Sequence, residues 1–469
     1  MTAPVPADVI SRLKAVLGEG GWSDDPARLA PKLIEWRDRW SGTTPLLVLP
    51  RSTAEVSAVV GVCAASDVAI TPQGGNTGLV GGQIPQGEIL LSLERMNRVR
   101  DVEPFDDVIV AEAGVTLAAV HEAALAAGRR FPLSVASEGS ATIGGLVSTN
   151  AGGTQVLRYG TMREQVLGLE AVLPNGEVWN GLKRLRKDNT GYDLKQLLIG
   201  GEGTLGVVTA ASLKLYPILP SRAVAFVGLR SPQDAIRLLA EGKRVTGGAL
   251  EAFELIRRVG MDLVFKNIPD QREPMGSRHA WYVLIETASG EPGAAEAAME
   301  RLLAGALEAD LIQDAVIAQT DSQAKALWAL RENQSSAQKA EGAAWKHDVS
   351  VPVSRIADFI TSATTKLETR WPDVIVTAFG HVGDGNVHFD VLARPGTDQA
   401  VHNARRDDGA HIVHDIIASM EGSISAEHGL GTMKSAEAMA YKSPVEIAAH
   451  RAIRAALDPK RIMNPRVFF

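Results

Sequence analysis

Thr71-Pro72-Gln73-Gly74-Gly75-Asn76-Thr77-Gly78-Leu79-Val80-Gly81-Gly82 is the stretch on which the interpretation of this chain depends. It follows a short apolar run, residues 68–70, and no Lys or Arg occurs between residues 71 and 87. Glycine permits positive φ and close approach to a ligand, and successive backbone N–H groups in such a loop can bind a phosphate. The alternative is a flexible surface loop. We name residues 71–82 the first glycine loop.

A second glycine loop, residues 137–153, has the same character. No basic residue occurs between Arg130 and Arg158, and the hydroxyl and amide side chains within this loop offer neutral hydrogen-bond donors. Two such loops suit a long ligand that carries two phosphates between two heterocyclic ends. The repetition favours a cofactor site over a pair of flexible surface loops.

The composition indicates a globular protein of two or three domains. The 469 residues are 45% hydrophobic and 22% charged, which is ordinary for an enzyme. A net charge of −7 argues against nucleic-acid binding and against an anionic membrane surface. No stretch resembles a signal peptide or a membrane span, and the single cysteine, Cys63, excludes a disulfide within the chain. We therefore expect a cytoplasmic protein.

The segment Gly201-Glu202-Gly203-Thr204-Leu205-Gly206 matches the GxGxxG pattern of nicotinamide-binding proteins. That pattern requires a strand before the glycines and a helix after them. Here residues 192–199 are predicted to form a helix and residues 207–216 a strand. Because the order is reversed, we reject nicotinamide binding.

The pattern of the chain changes after Pro217 and Pro220, and strands then alternate with helices as in a separate α+β domain. We predict one long helix from Asp321 to about Ala340, with Arg331 and Ser335 on one face. A predicted strand at 344–351 follows and carries Lys346. Taken individually, Arg331 and Lys346 fit surface charges equally well.

Two histidines, His381 and His388, flank a turn that contains Gly383 and Gly385. Glu427 follows a predicted strand at 424–426. Two imidazoles and a carboxylate can bind a divalent metal and leave one position open for substrate. The same histidines could instead be hydrogen-bonded residues of the core. The chain has no HExxH motif, so a metalloprotease of that type has no support.

A series of motifs spans nearly the whole chain: PQGGNTGLVGG, IGG…NAGG, YGTMREQVLGLEAVLPNGEV, GGEGTLGVVT, GHVGDGNVH, AEHGLG and the closing NP. In these motifs and their order the sequence resembles the FAD-dependent D-2-hydroxyglutarate dehydrogenases and related D-2-hydroxyacid dehydrogenases of the vanillyl-alcohol-oxidase superfamily. The resemblance implies an α+β fold with a two-part FAD-binding domain of the vanillyl-alcohol-oxidase type and an α+β substrate (cap) domain. The expected ranges are residues 1–220 for the FAD-binding domain, 221–429 for the substrate- and metal-binding domain, and 430–469 for a helical segment that completes the FAD domain.

The resemblance also implies roles for particular residues. His381, His388 and Glu427 match the family's metal ligands, commonly zinc, and His428 matches its catalytic base. The residues expected to contact substrate are Arg331, Lys346, Ser335 and Asp390. Ser335 stands where a threonine is familiar and Asp390 where an asparagine is familiar, so Asp390 adds a negative charge near an anionic substrate.

FAD is expected to bind without a covalent link, because no histidine or cysteine occurs between Pro72 and Gly82. The residues that we expect to contact FAD come from both glycine loops, from the GGEGTLGVVT segment and from the C-terminus. They are Pro72, Gly74, Gly75, Asn76, Thr77, Gly78, Gly139, Ser140, Thr142, Ile143, Gly144, Ser148, Asn150, Gly152, Gly153, Gly203, Gly206, Val208 and Asn464.

The reaction expected from the resemblance is oxidation of a D-2-hydroxyacid, with D-2-hydroxyglutarate as the leading substrate, to the 2-oxoacid. The expected partners are the small anionic substrate and an electron acceptor that is a protein or a quinone, and a homodimer is the working hypothesis for the assembly. No nucleic acid and no membrane span are expected. The alternatives are a D-lactate dehydrogenase, a flavin oxidase that uses oxygen, and a metal-binding or regulatory module without an active flavin.

Overall fold

A computed structural model describes residues 4–468 and divides the chain into two compact units. Unit 1 contains the described residues up to Gly153, the segment Gly160–Pro217 and the described residues from Glu427 onward. Unit 2 contains Thr154–Tyr159 and Ile218–Ala426. Both units combine helices with β-sheets, which confirms the α+β prediction. Among the described residues, no helix has both the length and the apolar character needed to cross a bilayer.

Unit 1 contains two main sheets and a two-stranded ribbon. The four-stranded sheet has the spatial order Trp22–Ser23, Leu47–Val48, Ile89–Ser92, Ile70–Gln73. The five-stranded sheet has the order Val99–Glu103, Val108–Glu112, Val207–Lys214, Val166–Val172, Val178–Gly181, and the ribbon pairs Tyr216–Pro217 with Arg129–Arg130. The strands of the five-stranded sheet pair antiparallel. The sequence Pro174-Asn175-Gly176 predicts a hairpin turn, and this turn connects the last two strands of the sheet.

Two of the longer helices of unit 1 begin at side-chain caps that the sequence supplies. Ser52 accepts a hydrogen bond from the backbone of Glu55 and begins the helix Thr53–Ala65, as its capping pattern predicts. Thr116 caps the helix Leu117–Ala126 in the same way, through the backbone of Ala119. The remaining helices of unit 1 are Ala7–Leu17, Pro26–Leu29, the 3-10 turn Ala30–Lys32, Ile143–Ser148, Met162–Gln165, Lys195–Leu198, Ser435–Tyr441 and Pro444–Leu457.

The end of the chain joins the four-stranded sheet of unit 1. The backbone N–H of Ile70 donates to the carbonyl of Ile462, and the N–H of Asn464 donates to the carbonyl of Ile70. The buried guanidinium of Arg454 donates to the carbonyls of Met463 and of two neighbouring residues. These bonds fix the C-terminal segment beside the strand that leads into the first glycine loop.

Unit 2 is built on one seven-stranded antiparallel sheet. In chain order its strands are β1 Ser221–Leu229, β2 Leu250–Arg257, β3 Trp281–Ser289, β4 Asp314–Ile317, β5 Ala344–Ser350, β6 Val374–His381 and β7 Asn386–Ala393. Their spatial order is β4-β1-β3-β2-β6-β7-β5. Successive side chains on a strand point to opposite faces, so each strand contributes to both faces of this sheet.

Helices cover both faces of this sheet. One face packs Phe253, Val283 and Phe389 against the helices Pro232–Thr246, Ala294–Glu308, Ile356–Arg370 and Arg406–Ser419. On the other face, Phe226 and Phe379 pack against the helices Arg258–Asn267, Asp321–Glu332 and Gln334–Lys339. The remaining helical segments of unit 2 are Val156–Tyr159, the 3-10 turn Val353–Arg355 and Gln399–Ala404.

The predicted single helix from Asp321 to Ala340 is wrong. Thr320, not Asp321, caps the first helix, and the structure has two helices that meet at Asn333. Both the backbone N–H and the side-chain amide of Asn333 donate to the carbonyl of Ala329. An asparagine side chain that competes for the backbone bonds of a helix favours its end.

Candidate active site

The two glycine loops meet in unit 1. A Cβ added to Gly75 would lie 1.8 Å from the carbonyl oxygen of Ser140, and one added to Gly74 would lie 2.5 Å from Oγ1 of Thr142. Any larger residue at these positions would push the loops apart. The glycines of the first loop therefore serve close approach to the second loop, and the two loops form one continuous backbone surface.

Several buried polar atoms in unit 1 form no hydrogen bond among the described residues. Two of them belong to residues predicted to contact FAD: Oγ1 of Thr142, beside the glycine contact, and Oδ1 of Asn464. Buried polar groups are normally paired, so each atom is available to a bound group. The amide of Asn464 also donates to the carbonyls of Gly82 and Glu202, which ties the first glycine loop to the GGEGTLGVVT segment. A neutral surface with free polar atoms fits a phosphate-bearing cofactor.

Some residues predicted to contact FAD have side chains with a structural task. The amide of Asn76 donates to the carbonyls of Pro31 and Ile34, and Oδ1 of Asn150 accepts from Thr161 and from the backbone of Arg163. Ile143, Gly144 and Val208 are buried. The other residues predicted to contact FAD all lie in unit 1, and their contact with FAD stays a prediction. They are Pro72, Thr77, Gly78, Gly139, Ser148, Gly152, Gly153, Gly203 and Gly206.

Glu202 holds the loop that follows the predicted catalytic histidine. Its two carboxylate oxygens accept hydrogen bonds from the backbone N–H groups of Leu430 and Gly431 at 2.8 and 2.9 Å. Burial raises the pKa of the Glu202 carboxyl to about 7, although these two bonds and Lys434 act in the opposite direction. This contact was not predicted, because the GxGxxG match around Glu202 was considered only as a nicotinamide site. The sequence sign of it is an acidic residue, Glu202, between two glycines of that match.

The two predicted metal-binding histidines lie together in unit 2. His381 ends β6 and His388 lies on the neighbouring strand β7, with the tight turn of residues 382–385 between the strands. Their ring centroids are 5.6 Å apart, and each offers a ring nitrogen within 4.8 Å of the other. The ring of His388 also packs against Phe379, its partner across the strand pair, with centroids 5.0 Å apart and the rings tilted by 38°. Two imidazoles at this spacing are suited to a shared divalent cation.

Arg331 is buried and already paired with a carboxylate that the sequence analysis missed. Its Nε donates to Glu254 Oε2 at 2.6 Å, and its guanidinium lies 5.0 Å from the ring centroid of Phe379. The other oxygen of Glu254 lies 2.7 Å from Nδ1 of His381. Burial alone would raise the pKa of Glu254, but its interactions with His381 and Arg331 outweigh burial and lower the pKa to about 2.

Lys346 and Asp390 form a second charge pair on the same face of the sheet. Lys346 Nζ donates to Asp390 Oδ2 at 2.9 Å and to the side-chain carbonyl of Gln338 at 3.2 Å. The two residues are direct partners across β5 and β7. Nε2 of Gln338 is buried and has no hydrogen-bond partner among the described residues. The negative charge of Asp390 therefore neutralises Lys346, and Gln338 offers an unused donor beside the pair.

Ser335 does not share the environment of Arg331. It lies in the second of the two helices and is exposed, whereas Arg331 is buried. The expectation that both residues occupy one face of a single helix is therefore wrong. The reason is the helix break at Asn333. A contact between Ser335 and substrate stays a prediction.

Glu427 and His428 begin the last segment of unit 1, and each offers a ligand atom within 4.8 Å of the other. The predicted strand at 424–426 does not form. Instead, Ser423 forms an isolated bridge with Ser350, and the backbone N–H of Ala426 donates to the carbonyl of Asp348 at 3.2 Å. These bonds lead the chain along β5 to Ala426, the residue directly before Glu427.

Comparison with known proteins gives matches over nearly the whole chain. The profile described as "FAD binding domain" matches residues 44–181, and "FAD linked oxidases, C-terminal domain" matches residues 218–467. The mitochondrial D-2-hydroxyglutarate dehydrogenase of Arabidopsis thaliana is 39% identical over 97% of this chain and 80% of that protein. The mitochondrial enzyme of the same name from Bos taurus is 39% identical over 94% and 80%. A putative mitochondrial D-lactate dehydrogenase of Schizosaccharomyces pombe is 36% identical over 96% and 88%.

The fold also matches solved structures. Substrate-bound p-cresol methylhydroxylase aligns with a TM-score of 0.76 over 98% of this chain and 96% of that chain, at 16% identity. This likeness confirms the vanillyl-alcohol-oxidase type of fold. The prediction of a cytoplasmic location is wrong, because the relatives from Arabidopsis thaliana and Bos taurus are mitochondrial proteins by name.

Proposed function

The chain belongs to the D-2-hydroxyglutarate dehydrogenase family of FAD-linked oxidases, and from this premise we propose that it oxidises D-2-hydroxyglutarate to 2-oxoglutarate. The observation that supports this substrate is a pair of cations, the buried Arg331 and the partly buried Lys346, on the face of unit 2 that carries His381 and His388. A substrate with two carboxylates needs a partner for each charge when it leaves water. D-Lactate needs only one.

FAD, when bound, supplies the two-electron acceptor for the substrate's C–H bond, and a divalent metal, zinc by its ligand set, supplies a Lewis acid at the hydroxyl oxygen. In this proposal the glycine loops of unit 1 hold the phosphates of FAD through backbone N–H groups, with the hydroxyl of Thr142 as a neutral donor. Oδ1 of Asn464 would accept from an N–H or O–H group of FAD. His381, His388 and Glu427 would hold the metal. Two imidazoles and one carboxylate leave a coordination position free for substrate.

The protein's own residues then bind and deprotonate the substrate. Arg331 keeps N–H groups beyond the one that Glu254 accepts, so its guanidinium can still bind a carboxylate. Lys346 and the free amide of Gln338 offer donors to the second carboxylate. One imidazole nitrogen of His428 accepts the hydroxyl proton, a task for which histidine is suited near neutral pH. The final electron acceptor in this proposal is a protein or a quinone.

The second candidate function is oxidation of D-lactate. The Lys346–Asp390 pair favours it, because Asp390 already neutralises one of the two cations that a dicarboxylate would use. A D-lactate oxidation that depends on Arg331 alone would leave this pair undisturbed.

A substrate panel with an artificial electron acceptor distinguishes these functions. We expect kcat/KM for D-2-hydroxyglutarate to exceed that for D-malate and D-lactate, and the L-isomers of all three to be inactive. A higher kcat/KM for D-lactate would reject the proposed substrate and favour the second candidate. Peroxide formed in amounts equal to the 2-oxoacid, with no acceptor added, would instead identify an oxidase.

A further inference from the structure

Glu254 is a buried acid to which neither the motifs nor the family profiles assign a task. It lies in the middle of β2, its side chain is 1% exposed, and it is the direct cross-strand partner of His381. Its two oxygens are used by different groups: one faces Nδ1 of His381 at 2.7 Å, and the other accepts from Nε of Arg331 at 2.6 Å. A single carboxylate thus connects a predicted metal ligand with a predicted substrate contact.

Charge explains why the chain can keep an acid at this position. An ionised carboxylate inside a protein is costly unless it is paired and hydrogen-bonded. Here Arg331 and His381 both donate hydrogen bonds to the Glu254 carboxylate. The guanidinium of Arg331 also lies over the ring of Phe379. Truncating Glu254 would leave Arg331 buried, at 8% exposure, without its only close carboxylate among the described residues.

The bond to His381 has a chemical consequence. A carboxylate that accepts from Nδ1 fixes the proton on that nitrogen and leaves Nε2 with a lone pair. It also fixes the orientation of the ring. A second consequence concerns Arg331, because the bond at Nε fixes its guanidinium beside the histidine, with one terminal nitrogen 3.5 Å from Nε2 of His381.

We propose that Glu254 is a positioning residue that sets His381 for metal binding and Arg331 for carboxylate binding at the same time. The inference rests on the proposed function, since it takes His381 as a metal ligand and Arg331 as a substrate contact. It adds that metal binding by His381 and carboxylate binding by Arg331 depend on the same carboxylate, that of Glu254. A change at Glu254 therefore weakens metal binding and substrate binding together, whereas a change at either partner affects mainly its own task.

The test uses Glu254→Gln in the FAD-loaded full-length protein, with Glu251→Gln as the matched control. Glu251 lies on the same strand, is equally buried, and pairs instead with Arg158 and Tyr159. Zinc affinity is measured by competition with a chelator. We expect Glu254→Gln to weaken zinc binding by about 10–100-fold, the usual effect of losing a partner of a metal-binding histidine. Flavin content should stay normal and KM for D-2-hydroxyglutarate should rise. Glu251→Gln should leave zinc affinity and KM unchanged.

Other outcomes overturn the proposal. Wild-type zinc affinity in Glu254→Gln would overturn it. A loss of zinc affinity in Glu251→Gln as large as that in Glu254→Gln would also overturn it, because it would indicate a general effect of removing a buried charge. If Glu254→Gln does not fold, Glu254→Asp keeps the charge and shortens the reach by one methylene, and unchanged zinc affinity in that variant also overturns it. Wild-type protein that takes up no zinc would reject the metal in the proposed function itself, which the wild-type titration reveals before any variant is compared.

Discussion

Replacing Asp390 with asparagine should show whether Lys346 serves the second carboxylate of the substrate. Lys346 Nζ and Asp390 Oδ2 are 2.9 Å apart, and the Asp390 side chain is only 4% exposed. At an effective dielectric constant of about 20, two charges at that separation attract by on the order of 6 kcal/mol. Much of this attraction is offset by the cost of removing both groups from water.

The variant should lose part of this stabilisation in the absence of ligand. Removing one partner of a buried ion pair costs about 3–5 kcal/mol. Asparagine still accepts a hydrogen bond and Lys346 keeps 19% exposure, so we expect a smaller loss, about 1–3 kcal/mol. The melting temperature of the ligand-free variant should fall by several degrees.

A dicarboxylate should compensate for the missing charge. Because its second carboxylate supplies the counter-ion for Lys346, we expect kcat/KM for D-2-hydroxyglutarate to rise about tenfold, equivalent to about 1.4 kcal/mol. D-Lactate, which lacks that carboxylate, should change little. The assay is steady-state kinetics of both substrates on the same preparation, together with thermal melting with and without D-2-hydroxyglutarate.

The matched control is Glu286→Gln. Glu286 is a buried carboxylate on β3 that pairs with Arg222 and Trp328. We expect this variant to lose stability without a change in the ratio of the two kcat/KM values. If Asp390→Asn also leaves that ratio unchanged, or shifts both substrates equally, then Lys346 does not bind the second carboxylate and the reasoning is refuted.

Three further predictions concern the cofactor, the metal and pH. Gly75→Ala should lose bound FAD, since its Cβ would lie 1.8 Å from the carbonyl oxygen of Ser140, whereas Gly61→Ala in the helix Thr53–Ala65, whose Cβ meets nothing within 4 Å, should keep it; equal flavin content in the two variants would contradict this reason. His388→Ala, or chelation, should abolish turnover with flavin content preserved, and full activity after verified metal removal would reject the metal. Between pH 4.5 and about 7, the Glu202 carboxyl is protonated in the folded state but ionised in the unfolded state. The free energy of unfolding of the wild type should therefore fall by about 1.4 kcal/mol for each pH unit gained in this range, compared with Glu202→Gln. Parallel pH profiles of wild type and Glu202→Gln in chemical unfolding would disprove the raised pKa.

Local sequence features predicted much of the fold. The cap at Ser52 and the hairpin turn at residues 174–176 depend on residues that are neighbours in the chain, and both are confirmed. The order of helix and strand around the GxGxxG match was also correct, with Lys195–Leu198 before the glycines and Val207–Lys214 after them.

The parts that the sequence did not predict depend on contacts between distant residues. Glu254 and His381 are 127 positions apart, and Lys346 and Asp390 are 44 apart. No local pattern marks an acid in a strand as the partner of a particular cation, so both pairs became visible only in the folded sheet. The helix break at Asn333 is a different case, because it depends on one side chain whose competition for a backbone carbonyl was not recognised.

The most direct test of the proposed reaction is anaerobic addition of D-2-hydroxyglutarate to the purified FAD-loaded protein. We predict that one equivalent of substrate bleaches the visible absorbance of the flavin and yields one equivalent of 2-oxoglutarate, while L-2-hydroxyglutarate leaves the absorbance unchanged. Flavin that stays oxidised with D-2-hydroxyglutarate, or that bleaches equally with the L-isomer, would contradict the assignment.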